Sequence, residues 1–490
     1  MMHYKHPSAL WILTLVESLN TLILFGLVSG LILFMTQAMH LPIAQAGTLY
    51  GGFLLMAYLT PLLGGALSDH FFQNKTVVFI GCILTTLGTL AFAIHQTSFF
   101  RWGLALVGVG IGLCKANIVA MVSNLYENHQ LTERNQGITW LYAGMNVGAI
   151  IGAIVLGALE NYISWTFGFI VFTVLAAFNC ILISRFSSKT LVRTPAHQTR
   201  LHALFKKQIL LPPVLGLMIW GLSFLLEHLT LFRDASAGLI VIVLVWLLAF
   251  LLKQPKDIRG NLWLLLLFYL GTLLFFASEL QAGGTITLFL QAHIRSKIFH
   301  HPIPIEFFTA LLPLFVALGP ITILPLISRL NPTFSVSKLL FHKTQWGFLL
   351  ASLAFLIFAF STTLCVHSAL FFGGLIVLAY ALLGFGEVLI APAVLSAATY
   401  LAPEHLRGTF LGFNYLAFAL SGLLAGEITA LTGNTHIQGV SSIQLTFITC
   451  LIILLLCALG FKGISISVAD VMVSKRIRMI TRCQSIPGKP

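Results

Sequence analysis

The chain of 490 residues is 58% hydrophobic and only 8% charged, with a mean hydropathy of +0.97, which excludes a soluble globular protein and describes a polytopic membrane protein. A net charge of +13 would suggest a nucleic-acid partner in a soluble chain, but here its distribution between membrane spans decides its meaning. The seven cysteines (Cys82, Cys114, Cys180, Cys365, Cys450, Cys457 and Cys483) are scattered without a C-x-x-C pair, so neither a disulfide framework nor a metal site is readable and no cofactor is expected.

At about 20 apolar residues per span, fourteen spans are predicted, at 8–36, 43–68, 76–96, 100–126, 136–160, 163–184, 208–228, 236–252, 261–291, 306–330, 344–365, 367–401, 405–431 and 441–462. The first is longer than a signal-peptide core and lacks a small-residue cleavage site, so it reads as a retained helix. An even count puts both termini on one side, and the positive-inside rule makes that side cytoplasmic. Lys5, Lys75, Arg134, the run Arg185, Lys189, Arg193, Arg200, Lys206 and Lys207, then Lys253, Lys256, Arg259, Arg329, Lys338, Lys343, Arg407 and the tail from Lys462 to Lys489 then lie inside. Only Arg101, Arg233, Arg295 and Lys297 fall outside. The basic excess is a topological signal, and most of the case for a nucleic-acid partner goes with it.

Taken in chain order, the polar residues within these spans pick out a site. In the first span Glu17, Asn20, Thr21 and Leu24 share one helix face, polar in an otherwise apolar helix and so turned inward. The fourth span holds Lys115 about ten residues from either end, too deep for easy snorkelling. An ionisable group at that depth costs roughly 2.5–3.5 kcal/mol and is usually functional. Lys115 therefore calls for an acidic partner, and a pair with Glu17 sums to zero charge, as a low-dielectric site requires. Asn146 lies inside the fifth span, Glu279 inside the ninth and Glu387 inside the twelfth, where Pro392 is expected to kink the helix. Glu427 is expected at the interface. The inserted region 208–252 has charges only near its outer turn (Glu227, Arg233, Asp234) and reads as scaffold, and none of the sixteen histidines sits centrally in a span.

These residues also carry a family resemblance. GLCKANIVAMVSNLY followed by QGITWLYAGMNVGA is similar to G-x-x-K-x-N, L-Y and F-Y-x-x-I-N-x-G in the proton-dependent oligopeptide transporters, with Lys115, Asn117, Leu125, Tyr126, Tyr142, Asn146 and Gly148 in register and Met145 in place of isoleucine. ESLNTLILFG resembles E-x-x-E-R-F-x-Y-Y-G: Glu17 and Gly26 are kept, Asn20 replaces the second acid, Thr21 the arginine, and Leu24 and Phe25 stand where tyrosines are expected. AYLTPLLGGALSDH resembles Y-x-x-P-x-x-G-G-x-x-A-D through Tyr58, Gly64, Gly65 and Asp69, with Ser68 for alanine. In FFASELQAGG the family's acid precedes Q-x-G directly, whereas here Leu280 holds that place and Glu279 sits one residue earlier. That offset turns a side chain by about 100°, toward the interior or toward another wall. IPIEFFTALLPLF departs from its motif at Leu312, an asparagine in the family. GFGEVLIAPAVLSAATYLAPEHLRGTFLGF is similar to G-E-x-x-x-x-P-x-x-L-S followed by A-P-x-x-x-R-G, through Glu387, Pro392 and Ser396.

The resemblance implies an all-α major facilitator fold: a six-helix bundle over 1–184, basic linkers and an inserted helix pair over 185–260, a second six-helix bundle over 261–462 and a basic cytoplasmic tail over 463–490. It implies a secondary transporter of di- or tripeptides or a similar zwitterionic solute, in a bacterial inner membrane, expected to act as a monomer. In that role Lys115 and Glu387 meet the opposite charges of the ligand, and Tyr58, Tyr142, Asn146 and Ser396 complete the site. Gly64, Gly65 and Asp69 with Lys75 form a gate. Glu17, and Glu279 if it faces inward, are the coupling acids: a ligand carboxylate on Lys115 would free Glu17 to load a proton. Since Asn20, Thr21 and Leu312 depart from the pocket motifs, a relative with another substrate, or an uncoupled facilitator, is the alternative. A membrane receptor is the reading outside transport. A membrane enzyme would need a nucleophile, a metal set or a clustered acid/base pair at an interface, and none is readable.

Overall fold

The computed structural model describes residues 6–127, 130–187, 201–293, 297–298, 301–330, 336–363, 369–403, 407–433 and 441–484. Lys5, Lys189, Arg193, Arg200, Arg295, Cys365, the 404–406 part of the A-P-x-x-x-R-G motif and Lys489 lie outside them. The first half is α1 (Ser8–Leu33, prolonged by a π-helical turn, Phe34–Ala38), α2 (Ile43–His70), α3 (Asn74–Phe92), α4 (Thr97–Ser123), α5 (Leu131–Tyr162) and α6 (Trp165–Arg185). Two further helices follow, α7 (Leu201–Glu227) and α8 (Leu229–Leu252). The second half holds α9 (Lys256–Glu279), α10 (Thr285–His293), α11 (Glu306–Thr309), α12 (Leu311–Leu330), α13 (Val336–Ser361), α14 (Ala369–Leu401), α15 (Arg407–Thr432) and α16 (Ser442–Gln484), with one two-residue hairpin pairing Lys297–Ile298 with His301–Pro302.

Among the described residues, 13 helices are long and apolar enough to cross a membrane, and the apolar stretch Pro213–Glu227 of α7 is a shorter one beside them. Two departures from the expected spans have local causes. The ninth span is broken: α9 ends at Glu279, a 3-10 turn covers Leu280–Gly283, and α10 begins at Thr285. Gln281 holds the break. Its amide nitrogen donates to the Ala277 and Ala425 carbonyls, and its amide oxygen accepts from the hydroxyls of Thr285 and Thr429. The last helix runs past 462 to Gln484, because Gly463 alone is a weak breaker and the next proline is Pro487.

Small residues set the spacing within the first half. A Cβ on Gly148 would collide with the Ser18 carbonyl and one on Gly152 with the Leu22 carbonyl, so the glycines of α5 let α1 lie directly on its backbone. In the second half a phenylalanine-rich core does the packing, with Phe275, Phe348 and Phe358 fully buried and Phe348 stacked on Phe461.

The halves meet closely at the end where α1 finishes and α2 begins. There a Cβ on Gly51 would lie 2.9 Å from the Gly426 Cα, Gly47 abuts Ala430, and Tyr50 donates to the Leu280 carbonyl at 3.1 Å. At the other end, among the described residues, Gly412 of α15 has only Leu62 nearby, at 3.6 Å. The inserted helices attach at the closed end, Arg101 to Glu227 at 3.3 Å and Arg233 to Glu427 at 3.1 Å, with Arg233 also donating to Thr48. These part-exposed pairs are each worth about 0–1 kcal/mol, enough to orient helices and too little to hold the fold.

Candidate functional site

Between the halves lies a cavity of about 480 Å³. Its lining near the closed end is buried (Val28 7%, Ser29 2% exposed), whereas Tyr142 at 50% and Leu395 at 47% remain accessible. The cavity thus opens toward the α2–α3 side.

Three ionisable side chains of opposite sign converge on it. Lys115, from α4, places Nζ 4.9 Å from the centre of the Tyr58 ring, a cation–π contact. The Tyr58 ring is itself stacked on Phe418 of α15, so an aromatic pair from both halves holds the ammonium in place. Across the cavity Glu387 of α14 and Glu279 of α9 bring their carboxyl groups within hydrogen-bonding reach of each other. Two carboxyls so placed share a proton or admit a cation between them. The one-residue offset of Glu279 does not carry it to another wall. α9 stops there, a tighter turn follows, and Glu279 and Leu280 both border the cavity.

Lys115 is attracted by both Glu17 and Glu387, but among the described residues no ion pair within 4.0 Å joins it to either. The expected Glu17–Lys115 pair is therefore a through-space one. Glu17 is 2% exposed, lies one turn below the cavity-lining Thr21, and has one carboxylate oxygen without a partner. Asn20 is not a pocket position: it turns to α6, where its side-chain oxygen accepts from Asn179 at 3.0 Å. Thr21 and Leu312 do line the cavity, so these two departures from the motif do change its surface.

Tyr142 and Asn146 line it as expected, the Asn146 amide donating to the Tyr142 carbonyl. Ser396 does not. Nine residues beyond Glu387 it has turned about half a revolution away, and Leu395 and Pro392 take the cavity face. Of the expected gate, Gly64 fits closely against Leu113 of α4, whereas a Cβ on Gly65 would meet nothing within 4 Å. Lys75 does not pair with Asp69; it donates to the Ser184 and Phe186 carbonyls and caps α6. Glu427, near the outer end of α15, is half-buried and paired with Arg233. Sequence reasoning passed over Asn414 and Tyr415, which line the cavity from α15; two polar residues inside the apolar run LGFNYLAFAL were the available signal.

Residues 10–426 match the model of the Major Facilitator Superfamily. The chain belongs to that superfamily. It is 23% identical over 435 residues to the dipeptide and tripeptide permease A of Yersinia pestis, covering 88% of this chain and 85% of that one. It is 25% identical over 490 residues to the peptide transporter YePEPT of Yersinia enterocolitica subsp. palearctica serotype O:3, covering 93% of each. Among solved structures, a point mutant of a peptide transporter POT in complex with alafosfalin aligns at a TM-score of 0.80, with 20% identity over 95% of this chain and 96% of that one. A POT family transporter in complex with 5-aminolevulinic acid aligns at 0.77, with 18% identity over 95% and 97%. The major facilitator fold read from the sequence is borne out, and so is the resemblance to the proton-dependent oligopeptide transporters.

Proposed function

We propose that this major facilitator is a secondary transporter of small peptides or peptide-like zwitterions, working by alternating exposure of the cavity between its halves and coupled to protons. The observation that carries the reading is the placement of one ammonium, Lys115, across a closed-ended cavity from the Glu279–Glu387 carboxyl pair. A ligand carboxylate then goes to Lys115 and a ligand ammonium to the carboxyl pair, each in a site too apolar to leave a charge unmatched. Tyr58, Tyr142 and Asn146 supply the polar contacts between these poles. A carboxylate arriving at Lys115 weakens its hold on Glu17, which then takes up the coupled proton. The bacterial relatives support an inner membrane, and the distribution of basic residues supports both termini being cytoplasmic, so that the cavity opens to the cytoplasm in this state.

Binding to the purified protein tests the polarity of the site. Dialanine is expected to bind, and N-acetyl-dialanine, which has lost its ammonium, to bind at least ~30-fold more weakly, since leaving a buried charge without its partner costs about 2 kcal/mol or more. Equal affinity for the two would remove the ammonium role of Glu279 and Glu387.

A further inference from the structure

One more acid is buried between the halves, away from the ligand cavity. Glu306, at the start of α11, is 0% exposed, and neither of its carboxyl oxygens has a hydrogen-bond partner. It does not line the cavity, although Thr309 and Leu312 just after it do. It presses on α5 instead: a Cβ on Gly157 would stand 2.7 Å from the Glu306 Cβ and 3.0 Å from its Oε2. Only glycine leaves room for the acid there. Glu160, three residues on and on the same face of α5, is half-buried and near enough to interact with Glu306 through space.

The contact joins α5 of the first half to α11 of the second, at the closed end, since Leu156 of α5 packs beside Gly30 near the finish of α1. Among the described residues no base faces it. α1, which also packs on α11, has no acidic or basic residue beyond Glu17, and α12 has none before Arg329. On α5, Glu160 is the nearest, the next being Arg134 far down the helix. The side chains of Arg295, Lys297, His300 and His301, in the segment before α11, lie outside the described residues.

A carboxylate with no partner is not tolerated in such a place, whereas a carboxylic acid is. When the halves separate at this end, both acids meet water, ionise and repel one another across the gap. We propose that Glu306, with Glu160, is a second proton-binding site, set in the seal between the halves rather than in the ligand cavity. It is occupied by a proton while the seal is closed and emptied when the seal opens. The closed form holds a proton that the open form releases, so rising pH favours opening, by up to about tenfold per pH unit for one proton.

The site rests on the alternating-access reading above but needs no ligand, so it is tested without one. In the full chain in lipid nanodiscs, backbone hydrogen exchange over residues 47–54 and 422–430 reports opening of the seal, after correction for the intrinsic pH dependence of exchange. Between about pH 5 and pH 8 the corrected exchange is expected to rise more than ~10-fold in the wild type. In Glu306→Gln, which keeps the shape and cannot ionise, the rise should shrink to under ~2-fold, with protection retained at high pH. Glu160→Gln, which removes the repulsion, should reduce the rise in the same direction, and it decides the matter alone should Glu306→Gln not insert. A wild type without pH response, or a variant that keeps the wild-type response, overturns the proposal. A failure of peptide transport itself would show instead as absent uptake, with this exchange pattern unchanged.

Discussion

Glu387→Gln is expected to lower the affinity for a free-amine dipeptide by ~30-fold or more and to reduce uptake in proportion, while insertion and thermal stability stay near the wild type. The amide preserves the size of the side chain, so the fold has no reason to change. What it removes is the charge that faces both the ligand ammonium and Lys115, and the loss of one member of a buried charge pair costs about 2 kcal/mol or more. Glu279 stays beside it and keeps part of the attraction, so Glu279→Gln and the double variant belong in the same experiment. Residues in contact do not add, and because each carboxyl stands in for part of the other's charge, the double variant should lose more than the sum of the singles. Unchanged dipeptide affinity in Glu387→Gln would remove its role.

Gly426→Val should impair transport by a different route. A Cβ at this position would strike the backbone of Gly51 and lie 2.6 Å from the Gly47 carbonyl, and backbone atoms cannot swing aside. The seal between α2 and α15 could then not close. Overpacking of this kind costs roughly 1–3 kcal/mol, and because it falls on one conformation only it shifts the conformational balance by about 5- to 150-fold. Uptake is expected to drop by at least ~5-fold, with the protein still monodisperse. Gly373→Val is the control, since a Cβ there meets nothing within 4 Å. Uptake by Gly426→Val within twofold of the control would mean that this contact is not the seal.

The features legible in the sequence were those whose cost is local. Lys115 and Glu387 stood out because a charge in an apolar span must be accounted for wherever the helix goes, and the span count followed from bilayer thickness in the same way. Features set by tertiary contact were not legible. Helical phase left open which wall Glu279 faces, and the break at Leu280–Gly283 that follows it is held by Gln281 and its partners on α15, more than a hundred residues away. Asn20 looked like a pocket substitution because its partner, Asn179, lies 159 residues on. Ser396 matched a motif by order while its helix turned it from the cavity. Glu306 opens a predicted span and drew no reading, and only the folding of α11 against Gly157 buries it.

Uptake of labelled dialanine into proteoliposomes, with and without an inward proton gradient, tests the central claim most directly. Concentrative uptake driven by the gradient, lost in Glu17→Gln but retained as gradient-driven uptake in Glu279→Gln, is the predicted result. Equal dialanine concentrations on the two sides of the membrane, whatever the gradient, would contradict proton coupling and leave a facilitator.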